Sequence, residues 1–492
     1  MQRFLLFGLL VLSITFLTCV KEEEKSSENK LLLFDLPNIT SDVVVDGSDV
    51  FVSVYKHVDV SKLTPRVIVS NKARVYPLSG MTVDFTYPVT YQVIAENGNM
   101  ATYKVTVSNT LSNQGDIRLF RLVGTDQIFE RSRDSIFIYV PYETDITNIQ
   151  TYIVVTDSVT ISPASGMPMN FTTPQTYTTT STDGTKRNYT VTVKKSPWRK
   201  VIKNGEAPFA PRDQHELLVF KDKLWMLGGW LGGTTHSNEV WNTADGKNWN
   251  LVTANANWGT RNVSEFIVFQ NKLWVIGGCS DYDRGIYNSE DGINWVKQLD
   301  SVPWKRRYEP MLAEFKGKLW LMGGIKNDTY IPTAFNDIWS SEDGINWTRV
   351  VLHAAWQERG AIQGRVVLND AMYIIGGGIV GDFSQQNGEE LTEYNDVWKT
   401  TDGVNWQRIL RNAPWKPRFY HSITEYNGVM YVIAGGSRTL LNDVWKSTDG
   451  VKWEQVKYSF WSPRHATSVI GYKGKLWMTC GFFVNDVWSM EL

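Results

Sequence analysis

An aromatic residue followed three positions later by arginine occurs six times in the C-terminal part of the chain: Phe209 with Arg212, Trp258 with Arg261, Trp304 with Arg307, Trp356 with Arg359, Trp415 with Arg418 and Trp461 with Arg464. A guanidinium offers two parallel N–H donors that match a carboxylate, so a ring of six would grip uronic or sialic acids, or acidic peptide side chains. The same chemistry has a structural use. Glu239, Asp337, Asp396, Asp443 and Asp486 recur at a matched place in five of the same units, and Arg-to-acid pairs made with them would lock neighbouring units together. The second unit lacks the acid and is the expected exception.

Further candidates fall where the units differ most, since scaffolds carry binding residues on variable loops. They are Trp230 and His236; Asp281, Tyr282, Asp283 and Arg284; Lys326, Asp328 and Tyr330; Asp382 and Phe383 in the stretch from Gly378 to Tyr394; Arg438; and Phe482 with Phe483. Aromatic rings among acids and amides suit sugars, stacking on apolar faces while polar groups read hydroxyls. Ordinary surface loops share that composition. Metal and triad chemistry is thinly served: His215, His236, His353, His421 and His465 lie without ligand spacing, although His215 and His421 each stand three residues after their arginine. No metal, cofactor or catalytic residue is expected.

The elements that position these residues form a repeat. An apolar strand ends in small residues at Gly228-Gly229, Gly277-Gly278, Gly323-Gly324, Gly376-Gly377, Gly435-Gly436 and Cys480-Gly481, a period of roughly 45–60 residues that belongs to propeller blades. The next strand opens with Asn-acid-apolar-Trp, at Asn238 to Trp241, Asn336 to Trp339, Asn395 to Trp398, Asn442 to Trp445 and Asn485 to Trp488; the second unit offers only Ile286-Tyr287. A hairpin follows at Asp245-Gly246, Asp291-Gly292, Asp343-Gly344, Asp402-Gly403 and Asp449-Gly450, each with a Trp three residues beyond the Gly. The sixth hairpin is missing because the chain stops at Leu492, and Trp198-Arg199-Lys200-Val201-Ile202 reads like the strand that should follow it. An N-terminal strand closing the last blade would remove an open sheet edge.

Over residues 198–492 these features resemble kelch propellers, which implies a six-bladed fold and leaves function open, because one propeller scaffold hosts many activities. Ser289 to Trp295 resembles the Asp-box of sialidases, one residue shorter; in that family the box is a peripheral turn, so here it implies a turn rather than a sialidase. Copper chemistry of the galactose-oxidase kind would need a His, Tyr and Cys set that does not assemble.

A second repeat precedes the first. Pro77, Ser79, Gly80, Met81, Phe85, Pro88, Tyr91, Gly98, Tyr103 and Val105 recur at a constant offset as Pro163, Ser165, Gly166, Met167, Phe171, Pro174, Tyr177, Gly184, Tyr189 and Val191. Alternating apolar residues at Tyr103, Val105 and Val107, with Asn97-Gly98 and Asp183-Gly184 as hairpin turns, predict two tandem antiparallel sandwiches over 31–109 and 116–195. They resemble the immunoglobulin-like modules in front of binding domains in Gram-negative surface lipoproteins, and neither has a cluster suited to chemistry. A spacer role is expected.

Arg3, the apolar run from Phe4 to Leu17 and Cys19 read as a cleaved signal over 1–18, too short to span a bilayer comfortably. Phe16-Leu17-Thr18-Cys19 resembles a lipobox, with Thr18 departing from the usual small residue, and implies lipidation of Cys19. The acidic stretch within 19–30 resembles an export tag to the outside of the outer membrane. The remaining cysteines, Cys279 and Cys480, are expected as free buried thiols. With 50 Lys plus Arg against 51 Asp plus Glu, no field recruits nucleic acid, and 21 Trp with 38 Gly favour an all-β protein.

The resulting expectation is a monomeric outer-membrane lipoprotein, exposed at the cell surface and held by its lipid. It would bind a glycan or protein ligand without catalysis. The chain should enter the propeller from the hairpin face, leaving the Arg-led face outward. One alternative is a carbohydrate-active enzyme such as an epimerase or mutarotase, since six-bladed kelch proteins include a sialic-acid epimerase. Another is a structural partner in an envelope complex.

Overall fold

The computed structural model describes residues 26–39, 41–55, 58–109, 116–156, 159–260, 265–277, 285–326, 333–360, 364–379, 392–436 and 439–491. It is all-β: the only helical turn among them is a 3-10 turn at Val60–Lys62, and no helix is long and apolar enough to cross a membrane. Contacts divide the chain into two compact units. One holds most of the residues before Thr192, and the other holds Val193–Leu492 with two short earlier stretches.

In the first unit each repeat folds as a small sandwich. The five-stranded sheet of the first copy runs in the order Ser41–Asp46, Asp49–Val54, Met100–Ser108, Val89–Ile94 and Arg74–Tyr76. The expectation of purely antiparallel sheets is corrected in the first copy, where Asp49–Val54 lies parallel to Met100–Ser108. Gly98 and Gly184 take the positive φ their hairpins require, 93° and 83°. Identity between the copies reaches the core: Phe34 meets Tyr91 edge to face at 5.5 Å, and Phe120 meets Tyr177 the same way at 4.9 Å.

The second unit contains six four-stranded antiparallel sheets, numbered here in the order of their Arg-led strands. Sheet 1, for example, comprises Glu216–Phe220, Lys223–Leu227, Val240–Thr243 and Asn250–Thr253. The first strands are Glu216–Phe220, Glu265–Phe269, Met311–Phe315, Arg365–Leu368, Ser422–Tyr426 and Ser468–Tyr472. Each packs against the first strands of both neighbours, sheet 6 against sheet 1 included, which is the closed ring of a β-propeller. Sheet 6 takes its outer strand from Trp198–Ile202, paired antiparallel with Val487–Glu491 from Trp198 opposite Met490. The N-terminal strand therefore closes the ring.

The Asp-Gly hairpin motif now has a physical cause. In sheet 4, Asp402 accepts the backbone N–H groups of Val404 and Asn405 at 2.9 and 2.7 Å and receives the Thr400 hydroxyl at 3.0 Å, which fixes the hairpin. Gly403, at φ 81°, lies against the face of Trp320 in sheet 3, where a Cβ would collide with the ring. The same fit joins Gly246 to Trp477, Gly292 to Trp225 and Gly344 to Trp274, while Gly450 faces the ring of Tyr373, so each hairpin glycine seats a second-strand aromatic of the preceding sheet. Each indole is oriented by its own N–H, which Trp320 donates to the Phe315 carbonyl at 3.0 Å. Packing of large aromatics over a glycine thus sets how one sheet stacks on the next.

Candidate functional site

In five of the six units the Asn-acid-apolar-Trp motif and the arginine form one device. In sheet 4, Arg359 Nη1 and Nη2 donate to Asp396 Oδ1 and Oδ2 at 2.6 and 3.0 Å, Nη1 also donates to the Gly376 carbonyl at 2.8 Å, and Trp398 Nε1 donates to Asp396 at 2.7 Å. Asn395 reaches forward to the Ala413 and Trp415 carbonyls that lead into sheet 5. Arg307 with Asp337, Arg418 with Asp443 and Arg464 with Asp486 repeat the bidentate pair, and Arg212 makes the single contact to Glu239 at 2.7 Å. Burial works to raise the Asp337 and Asp443 carboxyls, and the arginines outweigh it, holding both below their ordinary value.

These pairs correct two expectations. They join the lead-in to the first strand with the third strand of one sheet rather than neighbouring sheets; besides the Asn395 side chain, the link to the neighbour is made by the backbone, where the carbonyls of Arg359, Arg418, Arg464 and Arg212 accept from Gly324, Gly377, Gly435 and Gly481. The five described guanidinium groups are also buried to 3% exposure or less, so Arg212, Arg307, Arg359, Arg418 and Arg464 present no fork to an anion. Arg261 lies outside the described residues, as do Cys19, Cys279, Tyr282, Asp283, Arg284, Tyr330, Phe383 and Arg438. Cys480 is a free buried thiol, and burial raises its pKa to about 12.

The two matched histidines are also structural. His215 Nε2 meets Thr479 Oγ1 of sheet 6 at 2.7 Å, and His421 Nε2 donates to the Ile375 carbonyl of sheet 4 at 2.9 Å. Burial lowers both to about 3, so both are neutral.

Where the six first strands begin around the axis, a group that sequence reasoning had not singled out comes together. The residue two after the arginine takes a left-handed conformation at Gln214, Glu309, Tyr420 and Ala466, with φ between 52° and 56°, and turns the chain from the lead-in loop into the first strand. Backbone bonds stitch this mouth, from Gln214 N to the Ala466 carbonyl at 3.2 Å and from Ala466 N to the Tyr420 carbonyl at 2.8 Å. Tyr420 of sheet 5 reaches past sheet 4 and donates its hydroxyl to Glu309 Oε1 of sheet 3 at 2.5 Å. His465 lies 5.6 Å from the Tyr420 ring, and its Nδ1 is 3.9 Å from Asp213 Oδ2. Burial pushes Asp213 and Glu309 up to about 7 and lowers His465 to about 4. Deeper in, burial carries Glu265 to about 8, opposed by Arg365 and reinforced by Glu216 and Glu309.

An aromatic rim continues from this mouth. Phe483 N donates to Asp213 Oδ1 at 3.0 Å, which ties the Cys480-Gly481 turn of sheet 6 to the start of sheet 1. Phe482 and Phe483 follow with consecutive left-handed backbones, φ 49° and 55°, an arrangement unfavourable for side chains of this size. Both rings stand in solvent, 48% and 39% exposed. Phe482 lies 5.4 Å from the His465 ring, and Phe483 lies 5.0 Å from Trp230, whose short strand Trp230–Gly232 pairs with Thr235–His236. Ala210, Pro211, Leu231, Trp230 and Phe483 line an open cleft of about 600 Å³. The structure thus brings Trp230, His236, Phe482 and Phe483 into one region. Among the described residues no three His, Cys, Asp or Glu side chains are placed to hold a metal ion.

Similarity to known families divides the chain in the same places. No curated protein matches it. Residues 31–107 and 117–193 each match the family model described as SGBP, N-terminal, and residues 192–322 match the one described as DUF6242 beta propeller domain.

Proposed function

We propose that this protein is a surface glycan-binding protein that takes its ligand, without catalysis, on the aromatic rim formed by Trp230, Phe482 and Phe483. In this reading the kelch-like propeller presents the rim, the two N-terminal modules act as a stalk, and a lipid on Cys19 holds the chain to the outer membrane. The SGBP modules point to surface glycan binding in general terms. One observation carries the site: two adjacent phenylalanines are held exposed in a strained backbone by a buried carboxylate, beside a tryptophan that completes a cleft. Exposed apolar rings gathered in one place mark a binding surface, and flat rings over a cleft fit the apolar faces of sugars.

The test is affinity electrophoresis of the full chain through gels loaded with single polysaccharides, followed by calorimetry on any that retard it. Trp230→Ala or Phe483→Ala should weaken binding about tenfold or more, the cost of removing a central anchor. A second reading, a carbohydrate-active enzyme, draws on Asp213 and Glu309, two carboxyls held near neutrality at the mouth. Release of a new reducing end or a change of anomer in the bound sugar would carry it.

A further inference from the structure

The polar mouth beside the rim has a one-sided hydrogen-bonding character. Asp213 Oδ2, Glu309 Oε2 and Gln214 Oε1 are buried acceptors with no donor among the described residues, and Asp213 and Glu309 are themselves 0% and 4% exposed. Glu309 Oε2 faces the bare Cα of Gly360, lying 3.1 Å from where a Cβ would stand. Tyr420 donates its hydroxyl proton to Glu309 Oε1 at 2.5 Å, which leaves Glu309 Oε2 as the carboxyl oxygen without a donor among the described residues. Cationic groups nearby are already engaged. Arg365 donates to the Leu312 carbonyl at 2.6 Å and lies 3.8 Å from both Glu216 and Glu265, and Arg464, whose charge acts on Asp213, is bound to Asp486.

We infer that this mouth is a subsite for one neutral, hydroxyl-bearing sugar unit and that it turns away sugars carrying a carboxylate or sulfate. Hydroxyls supply the donors that the buried oxygens lack, and a buried acceptor gains most from a donor that water cannot easily replace. An acidic sugar brings more acceptors and a negative charge into a place already furnished with Asp213, Glu216, Glu265 and Glu309. The aromatic rim supplies stacking that is indifferent to charge, so discrimination resides in the mouth. Selectivity should also grow with pH, because Asp213, facing His465, Tyr420 and Arg464, and Glu309, facing Tyr420 and Glu265, both gain charge through neutrality.

This inference rests on the glycan-binding reading, and the experiment separates the two. Calorimetry on the full chain would use cellohexaose, xylohexaose, maltohexaose, mannohexaose and hexagalacturonate at about pH 6 and pH 8.5, values chosen to bracket the two carboxyls. At least one neutral hexamer should bind about tenfold tighter than hexagalacturonate, and the ratio should widen at the higher pH. The double variant Asp213→Asn, Glu309→Gln should bring the ratio back toward one by improving the acidic ligand. Should that variant fail to fold, the pH series on the natural chain decides. Hexagalacturonate binding as tightly as the neutral hexamers, or a ratio that does not move with pH, would overturn the inference and leave glycan binding intact. Binding of none of the five would overturn both.

Discussion

Replacing Arg359 with alanine should destabilise the propeller far more than it disturbs binding. The side chain is 0% exposed, and its loss removes the donors to Asp396, Gly376 and Gln357, leaving Asp396, itself 5% exposed, to the single donor of Trp398 Nε1 at 2.7 Å among these contacts. Breaking a buried ion pair from one side costs about 3–5 kcal/mol, and the seat of the guanidinium over Tyr394, 4.1 Å from its centroid, adds about 1 kcal/mol. All 21 tryptophans lie at or after Trp198, so tryptophan fluorescence during urea unfolding reports the propeller unit alone. With a slope of about 3 kcal/mol per molar, the midpoint should fall by about 1.3–2 M. The double variant Arg359→Met, Asp396→Leu should recover much of that loss, because it removes the stranded charge as well. A loss below about 1 kcal/mol, the level of an exposed surface pair, would refute the structural assignment of the ring. So would an Arg359→Ala chain of unchanged stability that no longer binds glycan.

Other outcomes follow from the same contacts. Asp213, Glu309 and Glu265 have folded-state pKa values raised above their unfolded ones, so the folded state holds their protons longer and stability falls as pH rises from about 4 through 8; Asp213→Asn should flatten that decline in a fluorescence-monitored melt. Gly403→Ala forces a Cβ into Trp320 at a positive φ and should cost at least about 2 kcal/mol, measured by urea unfolding, whereas Gly474→Ala, also at positive φ but with open space around it, should cost less. Cys19→Ala should leave the protein in the soluble fraction after cell lysis, and persistence with the membrane would count against the lipid anchor.

Much of the scaffold was legible because its constraints are local. Asn395, Asp396 and Trp398 sit within four residues of one another, and the Asp402-Gly403 turn is fixed by bonds to Thr400, Val404 and Asn405. Such short-range chemistry has to recur wherever the unit recurs, so it leaves a readable period. The arginine chemistry was legible in kind and not in direction: both partners showed in the sequence, while which sheets they join depends on the twist of strands around the axis. The mouth was not legible at all. Glu309 and Tyr420 belong to different sheets with a third between them, and each occupies a position that carries another residue type in other units, so no period marks the pair. Trp225, Trp274, Trp320 and Trp477 carry no signal of their own in the sequence, and the glycine against which each lies became apparent only when the sheets were stacked. Phe482 and Phe483 were noticed as aromatic loop residues, but their support by Asp213 depends on a contact between the two ends of the ring.

The central claim is that glycan is held on the rim, and its most direct test is calorimetry of one set of variants against the polysaccharide that retards the natural chain. Trp230→Ala and Phe483→Ala should each lower affinity about tenfold or more with the fluorescence melt unchanged. Lys247→Ala, in the hairpin of sheet 1 away from the rim, should leave affinity as it was. Equal affinity in all three variants, or a loss confined to Lys247→Ala, would contradict the account.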